Sequence, residues 1–363
     1  MTSYHHEHLI GQIREIFTAM GSPEGEATLI ADVLVRAELR SIPSHGVMRV
    51  KDYYELWKAG RLNIRPAPEI VHETLTTAVV DGDNGMGMVP GVMAMELAIE
   101  KALHAGTGWV AVRNSNHYGI AGYYSMMALR HDMIGISMTN ANPLVAPTFS
   151  ISRLLGTNPL AVAIPAGKEP AFVADFATTP VARGKLAMME KRGEEAPLGF
   201  VQDASGHPSK DPAVITRGGA IVPLGGDREH GSHKGYCMSA IIDILSAVLP
   251  GANFGPFVPP QVSYLQPRPD APGKGLGHFF GAMRIDAFQQ ADTFKQMMDL
   301  WINTFRTGEP AEGQQRIYIP GDIERESEEK LVKKGIALND KVLADLLSVC
   351  DALEVPLIMN GAI

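Results

Sequence analysis

Ser44-His45-Gly46-Val47-Met48-Arg49 brings a hydroxyl, an imidazole and a guanidinium close together. An imidazole titrates near neutrality and can give or take a proton. A guanidinium presents a planar fork that matches a carboxylate. The segment lies at an expected helix start, where His45 and Arg49, four apart, share one face. An N-cap serine followed by a surface histidine and arginine is the alternative reading. A second cluster, Arg113 to Tyr124, holds Asn114, Ser115, Asn116 and His117 in a row. It follows the apolar run Trp109 to Val112 and precedes a helical pattern. Strand-to-helix turns are where α/β proteins place their chemistry. Alone, His117 reads as a satisfied strand-end histidine; its polar neighbours point to a site.

Other segments offer supporting groups. Thr139-Asn140-Ala141-Asn142-Pro143 and Gly156-Thr157-Asn158-Pro159 are either simple Asn turns or sources of amide donors for a carboxamide or carbonyl. Asp175 follows a short strand, where it either orients a histidine by accepting a ring N–H or caps the next helix. Gly231-Ser232-His233-Lys234-Gly235 opens a helix, and backbone N–H groups there attract anions such as a phosphate. Gly85-Met86-Gly87-Met88-Val89-Pro90-Gly91 fails the dinucleotide fingerprint because Pro90 takes the third glycine's place; it reads as a structural turn. Asp243 needs a partner if buried. His5-His6-Glu7-His8 reads as a solvated helix start. No H-E-x-x-H motif or compact carboxylate cluster occurs, so no metal is expected.

These residues need elements to position them. Leu9, Ile13, Ile16, Phe17 and Met20 recur at helical spacing. Gly21 stops that helix. Ser22-Pro23 starts a second, with Ser22 as N-cap, and a third is expected from near Ser44 to Gly60. Beyond residue 76 the texture changes to short strands at Thr76 to Val80, Trp109 to Val112, Met133 to Met138, Leu160 to Ile164 and Ala171 to Ala174. Helices are expected near 91–105 and 120–131, and over Tyr236 to Leu249, Ala287 to Arg306 and Lys341 to Leu353. Tyr236 to Leu249 is apolar nearly all round and reads as buried. Residues 193–231 and 250–277 read as loops.

With 363 residues, of which 45% are hydrophobic, the chain can fold as two or three domains. Its net charge of -8 argues against nucleic acid as a partner. No apolar run reaches the roughly 18 residues of a membrane span. Met1 to His8 lacks the basic and apolar regions of a signal peptide. The two cysteines, Cys237 and Cys350, cannot form a disulfide framework or a cysteine zinc site, and Cys350 reads as core. A cytoplasmic location is the expectation.

In order and spacing, these segments together resemble the type-2 malate/L-lactate dehydrogenase family over nearly the whole chain. The resemblance rests on Ser44-His45-Gly46 with Arg49, Asn114 to Tyr124, Gly156 to Pro159, Asp175 to Lys185, His233-Lys234-Gly235 and Gly277-His278-Phe279-Phe280-Gly281. It implies an α/β protein with an N-terminal helical domain and a non-Rossmann cofactor domain on a largely antiparallel sheet flanked by helices. The expected division is 1–75 helical, 76–235 cofactor-binding, and 236–363 packing partly back on the helical part. The resemblance implies hydride transfer between NAD, or alternatively NADP, and a small 2-oxo or 2-hydroxy acid, with oxaloacetate/malate favoured.

By the same resemblance His45 donates the proton, Ser44 and Asp175 hold its ring, and Arg49, Thr157 and Asn158 bind substrate. Cofactor contacts fall on His117, Tyr118, Gly119, Ile120 and Ala121. They continue on Phe176, Ala177, Thr178, Thr179, Pro180 and Val181, and on His233 and Lys234. Pro320, Gly321 and Asp322 complete them in a turn where the family often has glutamate. A homodimer with the site near its interface is implied. Lactate, sulfolactate, ureidoglycolate, sugar-derived oxo acids and cyclic imino acids are used by relatives. The rivals are a Ser-His-Asp hydrolase, which lacks a G-x-S-x-G elbow, and a non-catalytic dinucleotide sensor.

Overall fold

The computed structural model describes residues 3–359; Met1 and Thr2, the first residues of the segment read for a leader, lie outside them. The chain opens with β1 (Ser3–Tyr4) and the helices α1 (His6–Ala19), α2 (Glu24–Leu39) and α3 (Arg49–Lys58). The predicted stripe Leu9, Ile13, Ile16, Phe17 is buried in full. Each such side chain contributes roughly 1.5–3 kcal/mol on leaving water. Ser22 does not cap α2: Pro23 takes the N-cap position, and the serine hydroxyl reaches only the Pro23 carbonyl, at 3.4 Å. The third helix starts later than its sequence suggested. Pro43–His45 forms a separate 3-10 turn.

The sheet region follows: β2 (Glu69–Glu73), β3 (Thr77–Gly85), α4 (Met88–Ala105), β4 (Thr107–Ser115), α5 (Ala121–Met127), β5 (Met133–Thr139), β6 (Leu160–Ile164) and β7 (Phe172–Phe176). Then come α6 (Arg183–Arg192), the short strands β8 (Val201–Gln202), β9 (Pro208–Ser209) and β10 (Ala220–Ile221), and α7 (Ser232–Asp243). The chain closes with β11 (Leu276–Arg284), α8 (Ala291–Arg306), α9 (Asp322–Lys334), β12 (Ile336–Ala337) and α10 (Asp340–Ala352).

Seven strands form the main sheet in the order β2-β3-β4-β11-β5-β6-β7. Only β3 and β4 run parallel; every other pair is antiparallel. This is the expected largely antiparallel, non-Rossmann architecture. The sheet takes a central strand, β11, from 276–284, so a boundary at residue 235 cuts through it. β11 is buried from Leu276 to Ala282, hence its near-continuous apolar run beside two glycines.

The helical core gathers α1, α2 and α3 with Ile336, Leu338, Leu346, Val349 and Cys350 from the end of the chain. Cys350 is core, as its spacing implied. α7 departs from expectation: Tyr236, Ile241, Ile244, Val248 and Leu249 in and after it are exposed. No helix among the described residues is long and apolar enough to cross a membrane.

Candidate active site

The site begins with the link between α2 and α3. Val47 N–H donates to the buried Glu38 carboxylate at 2.9 Å. A β-carbon on Gly46 would stand 2.2 Å from the same oxygen, so any side chain here would displace the Glu38 carboxylate. Gly46 has φ -99° and ψ -143° and interrupts helical geometry. His45 and Arg49 therefore do not share a helix face, as their spacing had suggested. They still converge. Arg49 Nε donates to the Ser44 carbonyl at 2.7 Å and Nη1 to Asp52 at 3.0 Å. Ser44 Oγ lies 2.9 Å from His45 Nδ1. Burial, and then the Arg49 charge, push the His45 imidazole down to about 4, so it is neutral at pH 7.

The polar run after β4 divides into two tasks. Asn114 adopts a left-handed φ of 53° and donates to Asp81 at 2.7 Å. Ser115 Oγ is 2.8 Å from His278 Nε2. Asn116 donates to the carbonyls of Asn84 and Gly85, both at 2.9 Å. These three shape the turn, and only His117 of the four lines the cavity. Tyr118 is stacked between His278, 4.6 Å away, and Tyr124, 4.7 Å away. The Tyr124 hydroxyl also donates to the Tyr118 carbonyl. The glycine turn before α4 is structural, as read: a β-carbon on Gly87 would lie 2.2 Å from the Asn116 carbonyl.

The His117 ring sits 5.2 Å from the His45 ring, nearly parallel to it. Burial pushes its imidazole well below the ordinary range, and the His45, Arg49 and His278 charges add to this. Asp175 does not hold the His45 ring. Its carboxylate accepts the Gly122 N–H at 2.7 Å, and Gly122 has no room for a β-carbon beside it. Burial pushes that carboxyl up to about 6, against the Gly122 N–H and Arg40. The assembled pair is thus Ser44 with His45, and a hydrolytic Ser-His-Asp triad is not formed.

Between the helical layer and the sheet lies a cavity of about 350 Å³, within the roughly 300–1,000 Å³ of small-molecule sites. Ser44, His45, Arg49, His117 to Ala121, Thr157, Asp175, Phe176 and Ala177 line it. Several expected residues do not. Asn158 is buried, its amide donating to Ser239 and its oxygen accepting Ala141 N–H. Thr178 bonds the Thr157 and Asn158 carbonyls, Thr179 the Val181 carbonyl, and Val181 packs in a separate apolar cluster. Pro180 borders a different groove. His233 is hydrogen-bonded to Arg228, and neither it nor Lys234 reaches the cavity. Pro320 and Gly321 pack on Val173. Asp322 is buried in ion pairs with Arg306 and Arg325. Glu324, two residues on, lines the cavity in its place.

The cavity also takes Ile42, Asn140, Ala141, Asn142, Arg183, Gln261, Val262 and Leu276. Arg183 belongs to the Asp175 to Lys185 segment, whereas Gln261 and Val262 lie in a proline-rich loop with no motif to mark them. Asn140 is spent on structure, donating to Asp243 and the Asn253 carbonyl, which gives the buried Asp243 its partner. Among the described residues no group of three His, Cys, Asp or Glu side chains is placed to hold a metal. What remains free is a neutral imidazole, an Arg49 end and ring and hydroxyl groups. Such a set can move a proton at a carbon–oxygen bond beside a carboxylate. Arg183 and Glu324 in the lining suit the phosphates and hydroxyls of a dinucleotide, so the residues present fit one.

Residues 4–347 match the family model described as malate/L-lactate dehydrogenase. A malate dehydrogenase of Pyrococcus abyssi is 41% identical over 94% of this chain and 92% of its own. An L-sulfolactate dehydrogenase of Methanocaldococcus jannaschii is 39% identical over 94% of each chain. The solved structure of a malate dehydrogenase from Pyrococcus horikoshii superposes with a TM-score of 0.88 at 37% identity, covering 98% of this chain and 96% of that one.

Proposed function

The chain belongs to the malate/L-lactate dehydrogenase family, and from that membership we propose that it moves a hydride between NAD and oxaloacetate or malate, with His45 carrying the proton. Membership makes it an oxidoreductase acting on a CH–OH group with a nicotinamide cofactor. The observation behind the roles is the convergence of the His45 ring and the free end of Arg49 on one cavity.

The cofactor, when bound, supplies or takes the hydride. Arg49 is held by the Ser44 carbonyl and Asp52, and its remaining N–H groups hold the substrate carboxylate. In reduction, protonated His45 gives its Nε2 proton to the carbonyl oxygen while Nδ1–H donates to Ser44 Oγ. In oxidation the neutral ring takes that proton back. Burial is the main cause of the low imidazole value; a carboxylate on Arg49 offsets the Arg49 charge that adds to it, which raises the proton affinity of His45 when substrate is bound. His117 to Ala121, Thr157, Phe176 and Ala177, which line the cavity, would hold the nicotinamide cofactor.

Glu324 in the cavity lining favours the free ribose hydroxyls of NAD over the phosphate of NADP. Malate is favoured by the 41% identity to a malate dehydrogenase; sulfolactate is the second reading, favoured by the relative at 39%. A homodimer is proposed on the exposed apolar face of α7. His45→Ala is expected to lower kcat by about 10²–10⁴ and to leave the NADH dissociation constant unchanged, read by fluorescence titration. Full turnover in that variant would remove His45 from the role.

A further inference from the structure

Tyr53 lies on α3, buried against Phe17, with ring centroids 6.4 Å apart. Its hydroxyl is 2.6 Å from His117 Nδ1. The Gly119 N–H points at the same nitrogen from 3.3 Å. A backbone N–H can approach Nδ1 only if that nitrogen bears a lone pair, so Nδ1 is an acceptor. The Tyr53 hydroxyl must then be the donor. Burial, with Asp52 adding to it, raises the phenol well above its ordinary value against the pull of Arg49, so the hydroxyl keeps its proton. Among the described residues the phenol has no other acceptor, and His117 Nε2 has no hydrogen-bond partner. Nε2 is also not a buried orphan; it opens to the cavity that His117 lines.

We propose that Tyr53 is a positioning residue that locks neutral His117 as its Nε2–H tautomer, presenting one fixed donor to a carbonyl oxygen bound in the cavity. The groups around His117 fit this division of labour. Burial first, and then the Arg49 charge, keep it neutral, and the neighbouring His45 ring takes and gives the proton. The acceptor is the keto oxygen of the substrate or the carboxamide oxygen of the nicotinamide. That identity rests on the dehydrogenase reading; the tautomer does not. If Tyr53 only filled space between α3 and α1, its hydroxyl would be dispensable.

The test is long-range proton–nitrogen NMR on protein labelled with 15N-histidine, with His117→Asn assigning the signals, in wild type and Tyr53→Phe. Phenylalanine keeps the ring contact with Phe17 and removes only the hydroxyl. Wild type should show His117 protonated at Nε2, and the variant should lose that pure pattern. Kinetically, loss of one fixed donor should cost about tenfold. If the acceptor is the substrate, kcat falls with the NADH dissociation constant unchanged; if it is the carboxamide, that constant rises. A wild-type His117 protonated at Nδ1 would overturn the proposal. So would a Tyr53→Phe variant whose tautomer, kcat and NADH binding all match wild type. A wild type with no turnover but the expected tautomer would count against the dehydrogenase reading alone.

Discussion

Glu38 sits behind Gly46 with one hydrogen bond, from the Val47 N–H, and burial pushes its carboxyl up to about 7. The folded chain thus holds a proton that an unfolded chain releases near pH 4.5. Unfolding in that window releases the proton, so this group's contribution to stability is full below pH 4.5 and is lost as the pH rises to about 7. The total is at most about 3 kcal/mol. Glu38→Gln keeps an acceptor for Val47 and removes the charge. Its melting temperature should change less than that of wild type between pH 4.5 and 7, the window bounded by the ordinary and raised values. Equal slopes for both proteins would show that Glu38 is not the titrating group. The sequence pointed to His45 and Arg49 together, and both line the cavity. Residue chemistry was not legible for Asn114, Ser115, Asn116 and Asn158, because an amide or hydroxyl serves a backbone turn as readily as a ligand. Asp175 was misplaced for the same reason: its carboxylate is taken by the Gly122 N–H.

At the scale of elements, among the described residues periodicity located eight of the ten helices, missing α6 and α9, and five of the seven main-sheet strands, missing β2 and β11, but not their ends or partners. The helix expected from Ser44 splits because Gly46 must pass the Glu38 carboxylate, a contact between residues eight apart. β11 went unseen because a strand buried on both faces has no alternation to detect. α7 is the opposite case. Its apolar pattern was correct, yet Ile241, Ile244, Val248 and Leu249 are 52–59% exposed in the isolated chain. A contiguous apolar face of this kind marks a protein contact, and the self-association implied by the family resemblance would cover it. Ile244→Glu should therefore sediment as a monomer while wild type sediments as a dimer. A monomeric wild type at micromolar concentration would remove the dimer from the account.

In the whole molecule the cavity is built by two layers that supply different things. The helical layer brings Ser44, His45 and Arg49, and through Tyr53 it also steadies His117. The sheet brings His117 to Ala121 at the end of β4, and Asp175 and Phe176 at the end of β7. The proposed proton transfer and carboxylate binding thus fall to the helical layer, and the proposed cofactor floor falls to strand ends. The absence of a glycine fingerprint fits a sheet that is antiparallel except for β3 and β4. The central claim, reduction of a 2-oxo acid at the expense of a nicotinamide cofactor, is tested most directly by the decay of nicotinamide absorbance on mixing the protein with NADH or NADPH and each of oxaloacetate, sulfopyruvate and pyruvate. The expected result is rapid loss of NADH absorbance with oxaloacetate, with slower turnover for the other acids and for NADPH. Binding of NADH without turnover of any 2-oxo acid would contradict it.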